Sequence, residues 1–264
     1  MAAPAETPLH RPELPEARAD SGPVVLPPAD DSGAGTEYCL VDEGGSWQPV
    51  RLAEHSFFWE RPDVYRYLVR DLLEGQAAET ISRMLARQLE AVGGRIDRLR
   101  LLDFGAGNGW VGGELAELGA RWIYGVDRSP AAASAAARDY PGVYEDYLVM
   151  DMRRLSEAQR DHLMHFDFNG LASVDPLGAD EPAPNAFTEA FNILAPGGWV
   201  AFHLHEEALL GKRESRFAPL VRQMVESGAI SLAAQERYRH RLTTQGDPLL
   251  HVAFVGRKHR DFGA

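Results

Sequence analysis

One cysteine, Cys39, is the chain's whole supply, so no internal disulfide can form and a reducing compartment is expected. Cys39 also lacks an obvious histidine nearby in sequence and is expected to be a small buried apolar residue. No apolar run reaches the roughly 20 residues that a membrane-spanning helix needs. The N-terminus shows no basic-then-apolar signal pattern, so the expectation is a cytoplasmic protein without a membrane partner. Basic residues are in deficit: 27 Lys and Arg face 39 Asp and Glu, a formal net charge of −12. That balance argues against general affinity for nucleic-acid backbones, which need clustered positive charge. No internal repeat appears. What remains is 264 residues with 45% hydrophobic content, enough for one well-filled α/β core and an appendage.

The informative stretch is 100–127, which reads RLLDFGAGNGWVGGELAELGARWIYGVD. Leu99, Leu101 and Leu102 open a buried strand, and Gly105, Gly107 and Gly109 form a turn with almost no side-chain bulk. A helix then starts near Trp110 and ends at Gly119, and a second strand runs from Trp122 to the acid Asp127. Glycines let the backbone approach a ligand closely, and a helix N-terminus offers unpaired N–H groups. An acid about 20 residues past such glycines is placed to take two ribose hydroxyls. The unit is a nucleoside-binding half-fold.

Two cofactor classes share such a turn. From Gly107, the spacing Gly107, Gly109, Gly112 fits the dinucleotide fingerprint. From Gly105, the run is acid-x-Gly-x-Gly-x-Gly with Asp103 at its head. In the first register Asp103 would be a buried carboxylate with no task, which is costly. The second register resembles the first motif of the class I (Rossmann-like) S-adenosylmethionine (SAM)-dependent methyltransferases. That resemblance implies that Asp103 helps hold the aminoacyl end of SAM. It further implies a cofactor site of Asp103, Gly105, Ala106, Gly107, Gly109, Asp127, Arg128, Asp151, Met152 and Asn169, with S-adenosylhomocysteine as the product.

Residues 1–36 are rich in Pro, Ala, Asp and Glu and are expected to form a disordered arm. A hairpin of Tyr38–Val41 and Trp47–Leu52 follows. Two helices come next, one from Pro62 with Val64, Tyr67, Leu68 and Leu72 at helical spacing, one over Gln76–Val92. Residues 37–94 thus read as an N-terminal hairpin and helical cover, with Phe57, Phe58, Trp59, Tyr65 and Tyr67 as candidate substrate-facing aromatics. After Asp127, Ser129 and Pro130 open a helix as a parallel crossover requires. Val143–Met150 supplies a third strand ending at Asp151, the position where enzymes of the resembled family bind the adenine amino group, with Met152 along the ring. A helix from Ser156 leads to a fourth strand over 166–172. The segment after it, Ser173 to Gly178, lines the reacting centre in that family, and an acidic loop over 179–185 follows. The Asn/Asp-Pro-Pro-aromatic signature of many nucleic-acid and protein-glutamine N-methyltransferases is missing here. A helix ending in Leu194, Ala195-Pro196-Gly197-Gly198 and an apolar fifth strand from Trp199 to Leu204 are a second point of resemblance. A helix near 215–227 and a terminal hairpin, Tyr238–Thr243 with Leu249–Val255, close the chain. The expected fold is a Rossmann-like methyltransferase core over 95–264: a mostly parallel seven-stranded sheet with an antiparallel last strand and helices on both faces.

Methyl transfer is an in-line displacement from a good leaving group, so alignment dominates and a general base is needed only for acceptors that must lose a proton. His203, His205, Glu206 and Asp175 stand near the carboxyl ends of strands four and five. Alternation puts His203 and His205 on one face with Leu204 opposite. His205, nearer the strand end, is the first choice for a base, with Asp175 beside it. These four residues could also hold a divalent metal, but no recognised ligand pattern appears and none is expected. The expected activity is methylation of an O or N atom of a small molecule by a monomer or homodimer. The alternatives are a nicotinamide-dependent oxidoreductase using the Gly107, Gly109, Gly112 register, and a SAM-binding protein that does not methylate.

Overall fold

Alternating burial along short strands and stripes of apolar residues along the intervening helices build two layers of helix around one sheet. The computed structural model describes residues 23–28, 37–175, 177 and 181–263. A small sheet comes first: β1 (Val24–Val25), β2 (Tyr38–Asp42) and β3 (Trp47–Arg51), all antiparallel. Most of the expected disordered arm lies outside the described residues. Within 23–28, however, Val24 and Val25 pair with Val41 and Leu40, because Val24 buries its side chain in the N-terminal core. Cys39 is fully buried there, and burial pushes its thiol up to about 12, as an unreactive apolar residue requires.

The helical cover consists of α1 (His55–Trp59), α2 (Pro62–Arg66), a π-helical turn over Tyr67–Leu72, and α3 (Ala77–Ala91). The single helix expected from Pro62 therefore changes its winding at Tyr67. Helix α3 buries Ala78, Ile81, Leu85 and Leu89 along one stripe.

The main sheet begins with β4 (Arg100–Phe104), followed by α4 (Trp110–Glu117), β5 (Trp122–Asp127), α5 (Pro130–Asp139) and β6 (Asp146–Val149). Next come α6 (Glu157–Met164), β7 (Gly170–Ser173), α7 (Pro184–Ile193) and β8 (Trp199–His205). Ser156 and Gln159 close a reciprocal capping box at the start of α6. The chain ends with α8 (Glu206–Leu209), α9 (Phe217–Glu226), β9 (Ile230–Leu242) and β10 (Pro248–Lys258). The sheet order is β6-β5-β4-β7-β8-β10-β9. Strands β4 to β8 pair in parallel, and β10 runs antiparallel between β8 and β9. This is the mostly parallel seven-stranded sheet with an antiparallel last strand that the sequence predicts.

Each sheet face has its own core. Leu101, Ile123 and Ala201 pack toward α3 and α4, while Leu102, Val126 and Phe202 pack toward α7 and α9. Phe202 stacks on Phe254 and meets Phe187 and Phe217 edge-on. Burying one such ring contributes roughly 1.5–3 kcal/mol. Because β4, β5, β7 and β8 are parallel, their carboxyl ends open on the same edge, and the loops there meet α1.

Candidate active site

A cavity of about 690 Å³ lies over that edge. Its floor is the turn after β4, with Phe104, Gly105, Ala106 and Gly107 on the lining. Gly105, Gly107 and Gly109 all hold positive φ (75°, 55° and 91°), a backbone region that residues with a Cβ rarely adopt. The turn reverses tightly because the amides of Gly105 and Ala106 both donate to the Val126 carbonyl. Those amides are thus satisfied by protein, and the turn offers close approach rather than free donors. Helix α1 forms the opposite wall: His55, Phe57 and Trp59 line the cavity, and Trp59 stands 3.5 Å from where a side chain on Gly107 would begin.

Asp127 ends β5 and lines the cavity. Its Oδ2 accepts from the Gly107 amide (3.2 Å) and its Oδ1 from the Ser129 amide (2.9 Å), which fixes the carboxylate against the turn. Burial raises its pKa, and the two amides oppose that rise. Arg128 lines the cavity next to it. Asp151, just past β6, also lines the cavity, with Met150 and Met152 around it. Arg153 grips Asp151 through both carboxylate oxygens and, with its own amide, holds that carboxyl down at about 2. Asp175 borders the cavity beyond β7, and its Oδ1 accepts from the Leu177 amide (2.9 Å). Pro176 and residues 178–180 lie outside the described residues.

Four expected site residues sit elsewhere. Asp103 is 1% exposed and off the cavity lining. It shares the face of Leu101, so it points under the turn, where Tyr144 donates to its Oδ2 (2.7 Å). Burial pushes its pKa up to about 7, a rise that the Tyr144 hydroxyl opposes and Asp127 reinforces. Gly109 also faces inward, against Tyr144 and Tyr140. Asn169 precedes β7 at the sheet's other edge. It clips two strands together there, with Oδ1 accepting from the Arg100 amide (2.7 Å) and Nδ2 donating to the Arg98 carbonyl. His205 is buried off the cavity: β8 runs on to it, and its Nδ1 accepts from the Glu207 amide (3.1 Å) as the N-cap of α8. Of the aromatic candidates, Phe57, Trp59 and Tyr65 line the cavity, whereas Phe58 is fully buried and Tyr67 packs against the core.

His203 takes the place expected of His205. It lines the cavity, its Nε2 accepts from the Asp175 amide (3.1 Å), and its Nδ1 meets the Tyr238 hydroxyl at 2.8 Å. Burial drives its pKa down to about 4, so the ring is neutral at neutral pH. Sequence reasoning missed Glu54 and Glu181, which also line the cavity. Both come from loops, where no periodicity marks a side chain's direction. Glu181 is held by the Ser215 hydroxyl (2.7 Å) at the start of α9.

A family described as a methyltransferase domain matches residues 101–198, the span from β4 to the turn before β8. Over that segment, 98 of the chain's 264 residues, the sequence is similar to a methyltransferase domain. No curated protein matches the sequence. Solved structures similar to this chain include magnesium protoporphyrin IX methyltransferase from Synechocystis with bound SAM. That match has 15% identity, covers 69% of this chain and 79% of that one, and has a TM-score of 0.49. A TehB-like SAM-dependent methyltransferase from Corynebacterium glutamicum matches at 19% identity, 66% and 86% coverage, and TM-score 0.43. The N-methyltransferase NodS from Bradyrhizobium japonicum, in complex with S-adenosylhomocysteine, matches at 15% identity, 67% and 85% coverage, and TM-score 0.46.

Proposed function

We propose that the protein transfers the methyl group of SAM to an O or N atom of a small molecule. The observation that carries this reading is Asp127. Its carboxylate is fixed over a turn without side chains, in one cavity with Asp151 and Met152 on one flank and Asp175 and His203 on another. A carboxylate so placed suits the two ribose hydroxyls of an adenosyl group. Met150 and Met152 offer an apolar, polarizable surface for an adenine ring. Arg153 already occupies both oxygens of Asp151, so the adenine amino group competes with an existing ion pair for that carboxylate.

When bound, SAM supplies an electrophilic methyl group on a sulfonium leaving group. The chain's part is alignment and exclusion of water, for which Phe57, Trp59 and Tyr65 provide an aromatic wall. The neutral His203 ring gives its Nε2 lone pair to the Asp175 amide, so it orients that loop and does not serve as a free base. Asp175 lines the same cavity as this wall and is the carboxylate we assign to orient a hydroxyl or amine acceptor.

The two glycine registers share Gly107, Gly109 and Asp127; of the residues that distinguish them, Gly105 lines the cavity while Gly112 and Asp103 face inward. Gly112 lies inside α4, where a Cβ would overlap the Tyr144 hydroxyl, and Asp103 bonds that same hydroxyl. The strand order and the family match therefore favour SAM over a nicotinamide. The test is mass spectrometry of S-adenosylhomocysteine release from the full chain with SAM and a panel of small amines, phenols and carboxylic acids. Turnover with at least one acceptor is expected. A protein that binds SAM but releases none across the panel would refute the transferase reading.

A further inference from the structure

The chain has nine histidines, and four of them meet in one interior corner behind the cavity wall. The register brings them there: His251 on β10 pairs with His205 on β8 and with Tyr238 on β9, and His203 follows two residues from His205. His240 is the unmatched residue of a bulge, where the pairing steps from Leu249–Arg241 to Leu250–Arg239. Bulges beside sites re-aim a side chain, and this one lays the His240 ring flat on His251, with centroids 4.0 Å apart and planes at 11°.

We propose that His203, His240 and His251 form a binding site for one divalent transition-metal ion of the zinc or cobalt kind. One nitrogen from each ring lies within 4.8 Å of the others. The Nδ1 atoms of His203 and His251 are 3.3 Å apart. That spacing matches the edge of a tetrahedron whose metal–nitrogen bonds are about 2.0–2.1 Å. The His240 ring must turn out of its stack on His251 for its in-plane lone pair to converge on the same ion. All three side chains are buried, at 7%, 0% and 4% exposure, and burial keeps the rings neutral, which is the form that ligates. Imidazole sets of this kind suit zinc, and three of them leave a fourth position open.

Hydrogen bonding alone leaves this corner unsatisfied. His203 Nε2 accepts from the Asp175 amide, so its proton sits on Nδ1 and faces the Tyr238 hydroxyl and His251 Nδ1. Tyr238 in turn donates toward His240 Nδ1 at 3.3 Å. Both Nε2 atoms of His240 and His251 are then buried without a partner. An ion held by Nδ1 of His203, Nδ1 of His251 and Nε2 of His240 would give the His240 atom a partner. A metal on Nδ1 of a neutral His203 ring requires the proton to move to Nε2, which then no longer accepts from the Asp175 amide. That change reaches the cavity wall, because both residues line it.

The site stands apart from the cofactor assignment, and its test reads the metal directly. Purified full-length protein is stripped with a chelator and titrated with Co(II), followed by visible absorption. One equivalent with the intense bands of a four-coordinate site, displaced by Zn(II), is expected. His251→Gln should lose the bands, while the exposed pair His162→Gln and His165→Gln should keep them. Absence of these bands from the wild-type protein would overturn the proposal, as would their persistence in folded His251→Gln. Should that variant fail to fold, the wild-type titration decides alone. SAM binding is measured on the same samples by calorimetry, so failure of either assignment is seen separately.

Discussion

Replacing Tyr144 with phenylalanine deletes one hydroxyl beneath the glycine turn and with it the side-chain hydrogen bond to Asp103. That carboxyl titrates at about 7 in the folded protein against an ordinary 3.8, chiefly through burial. Below 3.8 it is protonated in both folded and unfolded chains, and its contribution to stability is intact. Between 3.8 and about 7 only the unfolded chain ionises, so stability falls as pH rises, and above that the loss is complete. The Tyr144 hydroxyl donates to this carboxyl at 2.7 Å and limits the loss by favouring the ionised form. Its removal should raise the folded pKa further and carry the loss to higher pH. Near pH 5 the variant forfeits a neutral hydrogen bond, about 1 kcal/mol, and near pH 8.5 a charge-assisted one, about 1.5–3 kcal/mol. Tyr144 stays protonated throughout, since burial and Asp103 raise its own pKa. Urea unfolding of both proteins at the two pH values measures the difference. A destabilisation that is equal at both, or larger at pH 5, would refute the account of Asp103.

Three further outcomes are expected. Asp127→Ala should weaken SAM binding in calorimetry far more than His205→Ala, since only Asp127 lines the cavity; the reverse order would contradict the site. Gly112→Ala should destabilise by about 1–3 kcal/mol in chemical unfolding, because its Cβ overlaps the buried Tyr144 ring; a neutral change would contradict that packing. Glu37→Gln should cost on the order of 3 kcal/mol at neutral pH, because Arg241, fully buried, loses the carboxylate that meets both its Nη atoms (3.0 and 2.5 Å). Burial works to raise the Glu37 pKa, but Arg241 and the Thr244 amide outweigh it and hold it low. The contribution is therefore present above the ordinary carboxyl range and fades in acid. Denaturant midpoints at pH 7 and pH 4 check both the size and the direction.

The strand, turn, helix and acid of 100–127 were legible because each carries a local cause: alternating leucines, positive-φ glycines and an acid at a strand end. The direction of Asp103 was not, since it depends on Tyr144, which arrives from the loop before β6. The face shared by His203 and His205 follows from strand alternation alone. Which of the two reaches the cavity depends on β8 continuing into α8, where His205 becomes a cap. The first half of β9 escaped notice because Ser231–Arg237 lies on an outer strand and is largely exposed, so it lacks the apolar alternation that marks a strand. Asn169, assigned to the cofactor site by resemblance and lying within the expected strand over 166–172, stands instead just before β7 at the opposite edge.

Isothermal calorimetry of the full chain with SAM, S-adenosylhomocysteine and NADH tests the central claim most directly. One equivalent each of SAM and S-adenosylhomocysteine should bind, with no heat from NADH, and Asp127→Ala should abolish the signal. Binding of NADH without SAM would contradict the account.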